Sequence, residues 1–495
     1  MNRHAVCRTL ALTLCLVLLP LYGLTQVQGP VYEVFVASFA DGDGDRVGDL
    51  KGLTGKLSYI RSLGARSLWL MPISPSPSYH KYDVTDYQAV DPAYGTIEDF
   101  RALAAACRAE GLSLILDLVV NHTSSEHPWF IDAARSLSTG AHSPYRDYYH
   151  FAQSDGHPVP GAPGWYYQGS FGPHMPDLNL DSPAVRQEIS DILAFWLNMG
   201  AHGFRLDATT HYYEDHTARN VEFLSWLHQQ VKAIDPRAYL VAEAWKDEST
   251  ILALYESGID SLFNFPMAGA TGWLITAMRA GQGAQIARRV ADWQQKIRQR
   301  NPQAVDAPFL SNHDMGRSAG YLMFKPQQIK LAAALYLTMP GLPYLYYGEE
   351  LGLSGSGRDE NKRLPMLWSS DEALNTLAPA DADQRQRQKQ GVDAQEQDPD
   401  SVLHFYRLLG SLRAQCPELE HGDVQAVDLG SPKVAAWRST LAGSAALVIH
   451  NVGQEPMAIP LPAGSLLGGW DTGSGMPQVQ GDQLVLPPYS GCIFR

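Results

Sequence analysis

The sequence predicts an α/β protein: a (β/α)8 TIM barrel, one domain inserted into it, and a C-terminal antiparallel β-sandwich. Three observations carry this. Short apolar runs alternate with amphipathic stretches eight times between residues 31 and 350. The alternation breaks over 122–178, in a Pro-, Gly-, His- and Tyr-rich stretch too long for an ordinary connection. From residue 419 the pattern turns to short alternating strands with Gly/Pro turns, ending at Arg495. The expected organisation is a first barrel part over 30–121, the insertion over 122–178, a second barrel part over 179–415 and the sandwich over 419–495.

A chain of 495 residues is long enough for this arrangement, and a 45% hydrophobic content is ordinary for a globular protein. The formal charge is −14, with no basic stripe, which excludes nucleic acid as a partner. Eleven Trp and 23 Tyr suit a sugar binder, because flat rings stack on pyranose faces, although most aromatic residues serve the core.

Residues 1–26 read as a secretory signal, with Arg3 and Arg8 ahead of an apolar run over 9–24 that is too short for a stable membrane span. A secreted or periplasmic protein is expected. Cys15 follows Leu-Thr-Leu instead of a small residue, so no lipid anchor is expected. Beyond the signal only Cys107, Cys416 and Cys492 remain, too few for a disulfide framework.

Residues 31–39 read as the first strand. The loop after it, Asp41-Gly-Asp43-Gly-Asp45-Arg-Val47-Gly-Asp49, alternates acids with glycine. Such a loop either wraps oxygen ligands around Ca²⁺ or is a solvated acidic turn. It does not match an EF-hand, lacking the bidentate Glu at the twelfth position. A helix over 51–64, a strand over 67–73, a helix over 96–110 and a strand over 113–120 follow, the last topped by Asn121 and His122. Helices over 183–199, 217–234 and 280–300 separate the later strands. The strand over 342–350 completes eight. The polar run 380–397 reads as a surface excursion, and 398–413 as a helix.

Three strands end in acids. Gly203-Phe-Arg205-Leu-Asp207-Ala208 places Arg205 and Asp207 on one face, since residues i and i+2 of a strand point the same way. Taken alone, the pair fits either a structural ion bridge or an acid held ionised for attack. The run 238–245 carries Glu243 and 307–314 ends in Asp314. In parallel neighbours these acids converge. Retaining glycoside hydrolysis needs two carboxyls roughly 5–5.5 Å apart.

DLVVNH at 117–122, GFRLDA at 203–208, VAEAW at 241–245 and SNHD at 311–314 resemble, in order, the four signature regions of the α-amylase family (glycoside hydrolase family 13). The resemblance runs from Val31 to the C-terminus. It implies Asp207 as nucleophile, Glu243 as general acid/base and Asp314 as transition-state stabiliser. It implies substrate contacts from Tyr82, His122, Arg205, Trp245 and His313, with Asp117 supporting Arg205. It implies calcium on Asp41, Asp43, Asp45, the Val47 carbonyl and Asp49, and a second calcium on Asn121, Asp177 and the His211 carbonyl. Met175-Pro-Asp177-Leu-Asn179 resembles the fifth family region, in a form intermediate between oligo-1,6-glucosidases and neopullulanases that marks a group of bacterial α-amylases.

Two positions refine the expected activity. Chain-end glucosidases of the family carry Asp three residues before the Tyr82 position, and here Tyr79 stands there. A small residue after the nucleophile, here Ala208, goes with α-1,4 linkages, and Val with α-1,6. The expected protein is a monomeric retaining α-amylase cleaving α-1,4-glucans through a covalent glycosyl-enzyme. The alternatives are an oligo-1,6-glucosidase or α-glucan transglycosylase on the same scaffold, and more distantly a non-catalytic glycan binder, which the three retained acids oppose.

Overall fold

Seven short strands with buried side chains build one parallel sheet in a computed structural model that describes residues 27–214 and 216–495. The segment read as a signal, 1–26, lies outside the described residues. The strands are β1 (Val31–Val34), β2 (Ser67–Leu70), β3 (Ser113–Leu118), β4 (Gly203–Leu206), β5 (Tyr239–Ala242), β6 (Ser261–Leu262) and β7 (Tyr344–Tyr346), in the order β7-β1-β2-β3-β4-β5-β6. Residues 307–309 close the ring. Ala307 pairs with Phe263 and Phe309 with Tyr344, both parallel. This is the (β/α)8 barrel with its seventh position reduced to two bridges. Inside it Phe263 packs edge-on against Tyr344 (4.7 Å) and Phe309 (5.6 Å), and tilted on Trp69 (5.6 Å). The barrel is a filled core and not a pore.

The ladders end earlier than the apolar runs. The first run, 31–39, leaves the sheet at Val34 and coils into a 3-10 turn over Val36–Ser38, yet Phe35, Val36 and Phe39 stay buried. Apolar character reports burial, and at the C-terminal face loops do the burying after the neighbouring strand is gone.

Local chemistry fixes the helices. Ile97–Ala109 starts at a capping box between Thr96 and Asp99. Pro183–Met199 has Pro at its first turn and left-handed Gly200 at its end. The helix expected over 51–64 splits into Leu50–Thr54 and Leu57–Ser62, the first capped by Asp49 accepting from the Gly52 amide. The helix expected over 280–300 is Gly283–Arg300, preceded by Trp273–Arg279.

The insertion carries a helix, Pro128–Thr139, and three two-residue strands, and bridges between His122 and Asp177 and between Tyr149 and Leu178 tie its two ends together. At the C-terminus a five-stranded and a three-stranded antiparallel sheet enclose Val434, Ala436, Leu447, Ile449, Ile459, Leu484 and Leu486, as the sandwich reading requires. The larger sheet docks on the barrel at Thr338, whose Oγ1 lies 3.0 Å from His450 Nε2 and whose carbonyl accepts from Trp437 Nε1 at 3.3 Å. Cys107, Cys416 and Cys492 are buried and unbridged. Among the described residues no helix is long and apolar enough to cross a membrane.

Candidate active site

β3, β4 and β5 run side by side, with Asp117 in register with Arg205 and Arg205 with Val241. The inward face of β4 therefore meets the acids of its neighbours. The Arg205 guanidinium is 1% exposed and bonds three carboxylates: Nη1 donates to Asp117 Oδ1 (2.8 Å) and Asp207 Oδ1 (2.7 Å), and Nη2 lies 3.0 Å from Glu243 Oε2. Only a planar multi-donor group can do this.

One cation does not balance three buried acids. Burial, with Glu243 and Asp117 adding to it, raises Asp207 well above the carboxylate range despite Arg205. Burial likewise pushes Asp117 up to about 6 against Arg205. From spacing alone the sequence shows Arg205 beside Asp207, either a structural ion bridge or an acid held ionised, and the family resemblance adds Asp117. The structure shows that the one guanidinium is shared by three acids, so burial and mutual repulsion work against ionisation of Asp207 and Asp117 while Arg205 works for it.

Ala208 turns the chain out of β4 with φ of +48°. This left-handed backbone aims the Ala208 amide at Glu243 Oε2, 2.8 Å away. A non-glycine residue in this region is strained, and such strain gathers at functional sites.

Asp314 belongs to a second charge group. His313 sits between Glu33 Oε1 (Nδ1, 2.5 Å) and Asp314 Oδ2 (Nε2, 3.0 Å), with the Tyr82 hydroxyl 2.7 Å from the same Nε2. Burial disfavours the imidazolium, but the flanking carboxylates push His313 up to about 10, so the ring is a cation. Arg363 Nη2 reaches Asp314 Oδ1 at 3.0 Å. Against burial, His313 and Arg363 hold the Asp314 carboxyl well below its usual range.

Tyr82 lies almost parallel to the His313 ring (5.6 Å, 13°) and donates to Asp117 Oδ2 at 3.1 Å. His122 is buried and its Nε2 has no protein partner; burial pushes it down to about 4, so it is a neutral ring with one polar edge left for a ligand. Trp245 is 53% exposed and stacks on Phe265 (5.0 Å, 20°). An open ring on a rigid support suits sugar stacking.

In the acidic loop Asp41, Asp43 and Asp49 each bring one oxygen within 4.8 Å of the others. Asp45 stands outside that group, and its Oδ1 accepts the Val47 amide at 2.7 Å. The three converging donors are hard oxygens, the set a calcium ion takes. At the second expected site Asn121 Nδ2 donates to Asp177 Oδ1 at 3.2 Å, while Ser170 occupies Asp177 Oδ2 at 2.7 Å. The His211 carbonyl takes the Glu214 amide at 3.3 Å.

The sequence reading missed Glu33, Asp359, Arg363 and Phe171. Glu33 had a signal, as the one charge inside the run Val-Tyr-Glu-Val-Phe-Val. Arg363 and Asp359 lie just beyond the last strand, in a segment read only as polar. Phe171, 46% exposed, places its ring 5.2 Å from His122 and 5.0 Å from His211.

Residues 33–422 match the family model described as alpha amylase, catalytic domain. Alpha-amylase 3 of Dictyoglomus thermophilum is 39% identical over 429 residues, 85% of this chain and 84% of that protein. A 4-alpha-glucanotransferase of Thermotoga neapolitana is 30% identical over 86% of this chain and 96% of its own. The structure of Eubacterium rectale Amy13B superposes with a TM-score of 0.91 at 38% identity, covering 95% of this chain and 96% of that one.

Proposed function

The chain belongs to the α-amylase family of glycoside hydrolases, and from that premise we propose that it hydrolyses α-1,4 bonds of starch and maltooligosaccharides with retention. The observation that carries the reading is the sharing of one buried guanidinium by Asp207, Glu243 and Asp117, with Asp314 held ionised beside them.

In the proposed cycle Glu243 brings a proton to a sugar lying across the site. Glu243 gives it to the glycosidic oxygen as the C1–O bond breaks, and Asp207 forms the new bond to C1. Water then loses a proton to Glu243, attacks C1 and frees Asp207. Two inversions give net retention. Positive charge developing on the sugar faces Asp314, which His313 and Arg363 keep ionised. His122 Nε2 and Tyr82 meet the same sugar, and Trp245 stacks on the leaving side. Ala208 favours α-1,4 over α-1,6 linkages, and Tyr79, in place of the chain-end Asp, favours internal cleavage.

Calcium is proposed on Asp41, Asp43 and Asp49, where it would brace the loop after β1. The proposed second site is Asn121, Asp177 and the His211 carbonyl. Secretion is proposed from residues 1–26.

A product profile tests the function. Soluble starch should lose iodine staining quickly and give mixed maltooligosaccharides of α configuration, and Asp207→Asn should abolish turnover while folding normally. Glucose from isomaltose with starch untouched would refute the reading. The second reading is glucanotransfer, favoured by similarity to a 4-alpha-glucanotransferase, and rising chain lengths from maltotriose would reveal it.

A further inference from the structure

Arg363 reaches Asp314 from a loop that is held on two sides. On the barrel side Ser38 Oγ donates to the Arg363 carbonyl (2.7 Å), Arg317 Nε and the Tyr346 hydroxyl donate to the Lys362 carbonyl (3.0 and 3.1 Å), and the Tyr347 hydroxyl donates to the Leu364 carbonyl (2.8 Å). These bonds fix the backbone at 362–364. They do not reach Asp359, one turn earlier, whose carboxylate takes Arg363 Nη1 as Asp314 takes Nη2. The Tyr79 hydroxyl closes the group, accepting from Arg363 Nη1 at 2.7 Å and donating to Asp359 Oδ2 at 3.1 Å.

The other side is held by the segment 383–390, Asp-Gln-Arg-Gln-Arg-Gln-Lys-Gln. Its residues alternate, and the alternation has a purpose in space. Gln384 pairs with Ser356 (Nε2 to its carbonyl 2.9 Å, its amide to Oε1 3.3 Å). Gln386 pairs with Ser354 in the same way (3.0 and 2.8 Å), and Gln388 Nε2 donates to the Leu351 carbonyl (2.8 Å). Arg385, Arg387 and Lys389 face solvent. Side-chain amides thus stand in for the partner strand that loop 351–356 lacks.

Asn361, fully buried, links this strap to the loop. Its Nδ2 donates to Ser356 O (3.1 Å) and Asp383 Oδ1 (2.7 Å), and its Oδ1 accepts the amides of Asp383 and Gln384 (both 3.0 Å). The turn packs so closely that a Cβ on Gly355, at φ +154°, would sit 1.9 Å from the Asn361 carbonyl oxygen.

We propose that the 383–390 strap and Asn361 are a positioning device for the reaction: they hold Asp359 in place, Asp359 and Tyr79 aim the Arg363 guanidinium, and Arg363 orients Asp314. The inference rests on the role proposed for Asp314. A stabiliser of transition-state charge works only within a narrow geometry, so loosening the strap should lower kcat and leave KM nearly unchanged.

The test is a double-mutant cycle on soluble starch and maltoheptaose, measured with melting temperatures. Gln384→Ala/Gln386→Ala should lower kcat about tenfold with KM within twofold. In an Arg363→Ala background the same pair should change kcat less than twofold, because the guanidinium it aims is gone. An unchanged kcat in the otherwise wild-type chain overturns the proposal. So does an equal loss in both backgrounds, which would mark a general structural effect. If the double variant does not fold, Asn361→Asp, which removes both Nδ2 donations and sets a carboxylate against Asp383, is read by the same criteria. Wild-type protein without action on starch would instead sink the functional reading itself.

Discussion

Replacing Ala208 by valine examines the link between the two main acids. Ala208 has φ of +48°, and this conformation points its amide at Glu243 Oε2, 2.8 Å away. A left-handed backbone costs an L-residue about 1–2 kcal/mol, and a β-branched side chain tolerates it worst. The introduced valine therefore gains by rotating to negative φ, and the rotation withdraws the amide from a buried carboxyl group. An unmade bond of that kind costs about 1–3 kcal/mol. With about 1.4 kcal/mol for each factor of ten, kcat/KM should fall roughly 5- to 140-fold. Ala208→Gly supplies the control, since glycine adopts positive φ freely and keeps the amide where it is. The assay is initial-rate hydrolysis of maltoheptaose by both variants, with isomaltose alongside. Equal rates for the valine and glycine variants, within threefold of wild type, would refute the reasoning. A valine variant that gained on isomaltose would show that side-chain bulk, and not the amide, is what matters at this position.

Calcium removal should lower the melting temperature, since an ion bound at one hundred times its dissociation constant contributes about 2.7 kcal/mol; an unchanged melting curve after verified removal would dismiss the site at Asp41, Asp43 and Asp49. Burial between two tryptophans pushes His450 down to about 3, against about 6.5 when unfolded. Its neutral form contributes stability that is complete above pH 6.5 and lost as pH falls toward 3, about 2 kcal/mol by pH 5. The difference in stability between wild type and His450→Gln should shift by that amount between pH 7.5 and 5, and a constant difference would show that His450 does not titrate as argued.

Much of the centre was legible because its signals are local. Arg205 and Asp207 share a face by the period of a strand, and the acids closing the 238–245 and 307–314 runs announce themselves as charges at the ends of apolar segments. What pairwise reading missed is company. Arg205 serves three acids, and although the family resemblance put Asp117 beside it, the residues themselves do so only through strand register. Asp45 fits the alternation of its loop, yet it lies outside the group of converging oxygens formed by Asp41, Asp43 and Asp49, which no spacing rule reveals. Arg363 and the strap were hidden by distance along the chain, since their partners lie 49 residues away at Asp314 and about 30 away at Ser354 and Ser356. The strap did leave one trace, a strict period of two in a run that looks like low complexity.

The surplus of acids over cations around Arg205 has a consequence for inhibition. A sugar mimic bearing a permanent positive charge would improve the charge balance on entering, because Asp117, Asp207 and Glu243 are answered there by Arg205 alone. A neutral mimic of the same shape gains nothing from that imbalance. The molecule thus favours a charged visitor over a neutral one of the same shape.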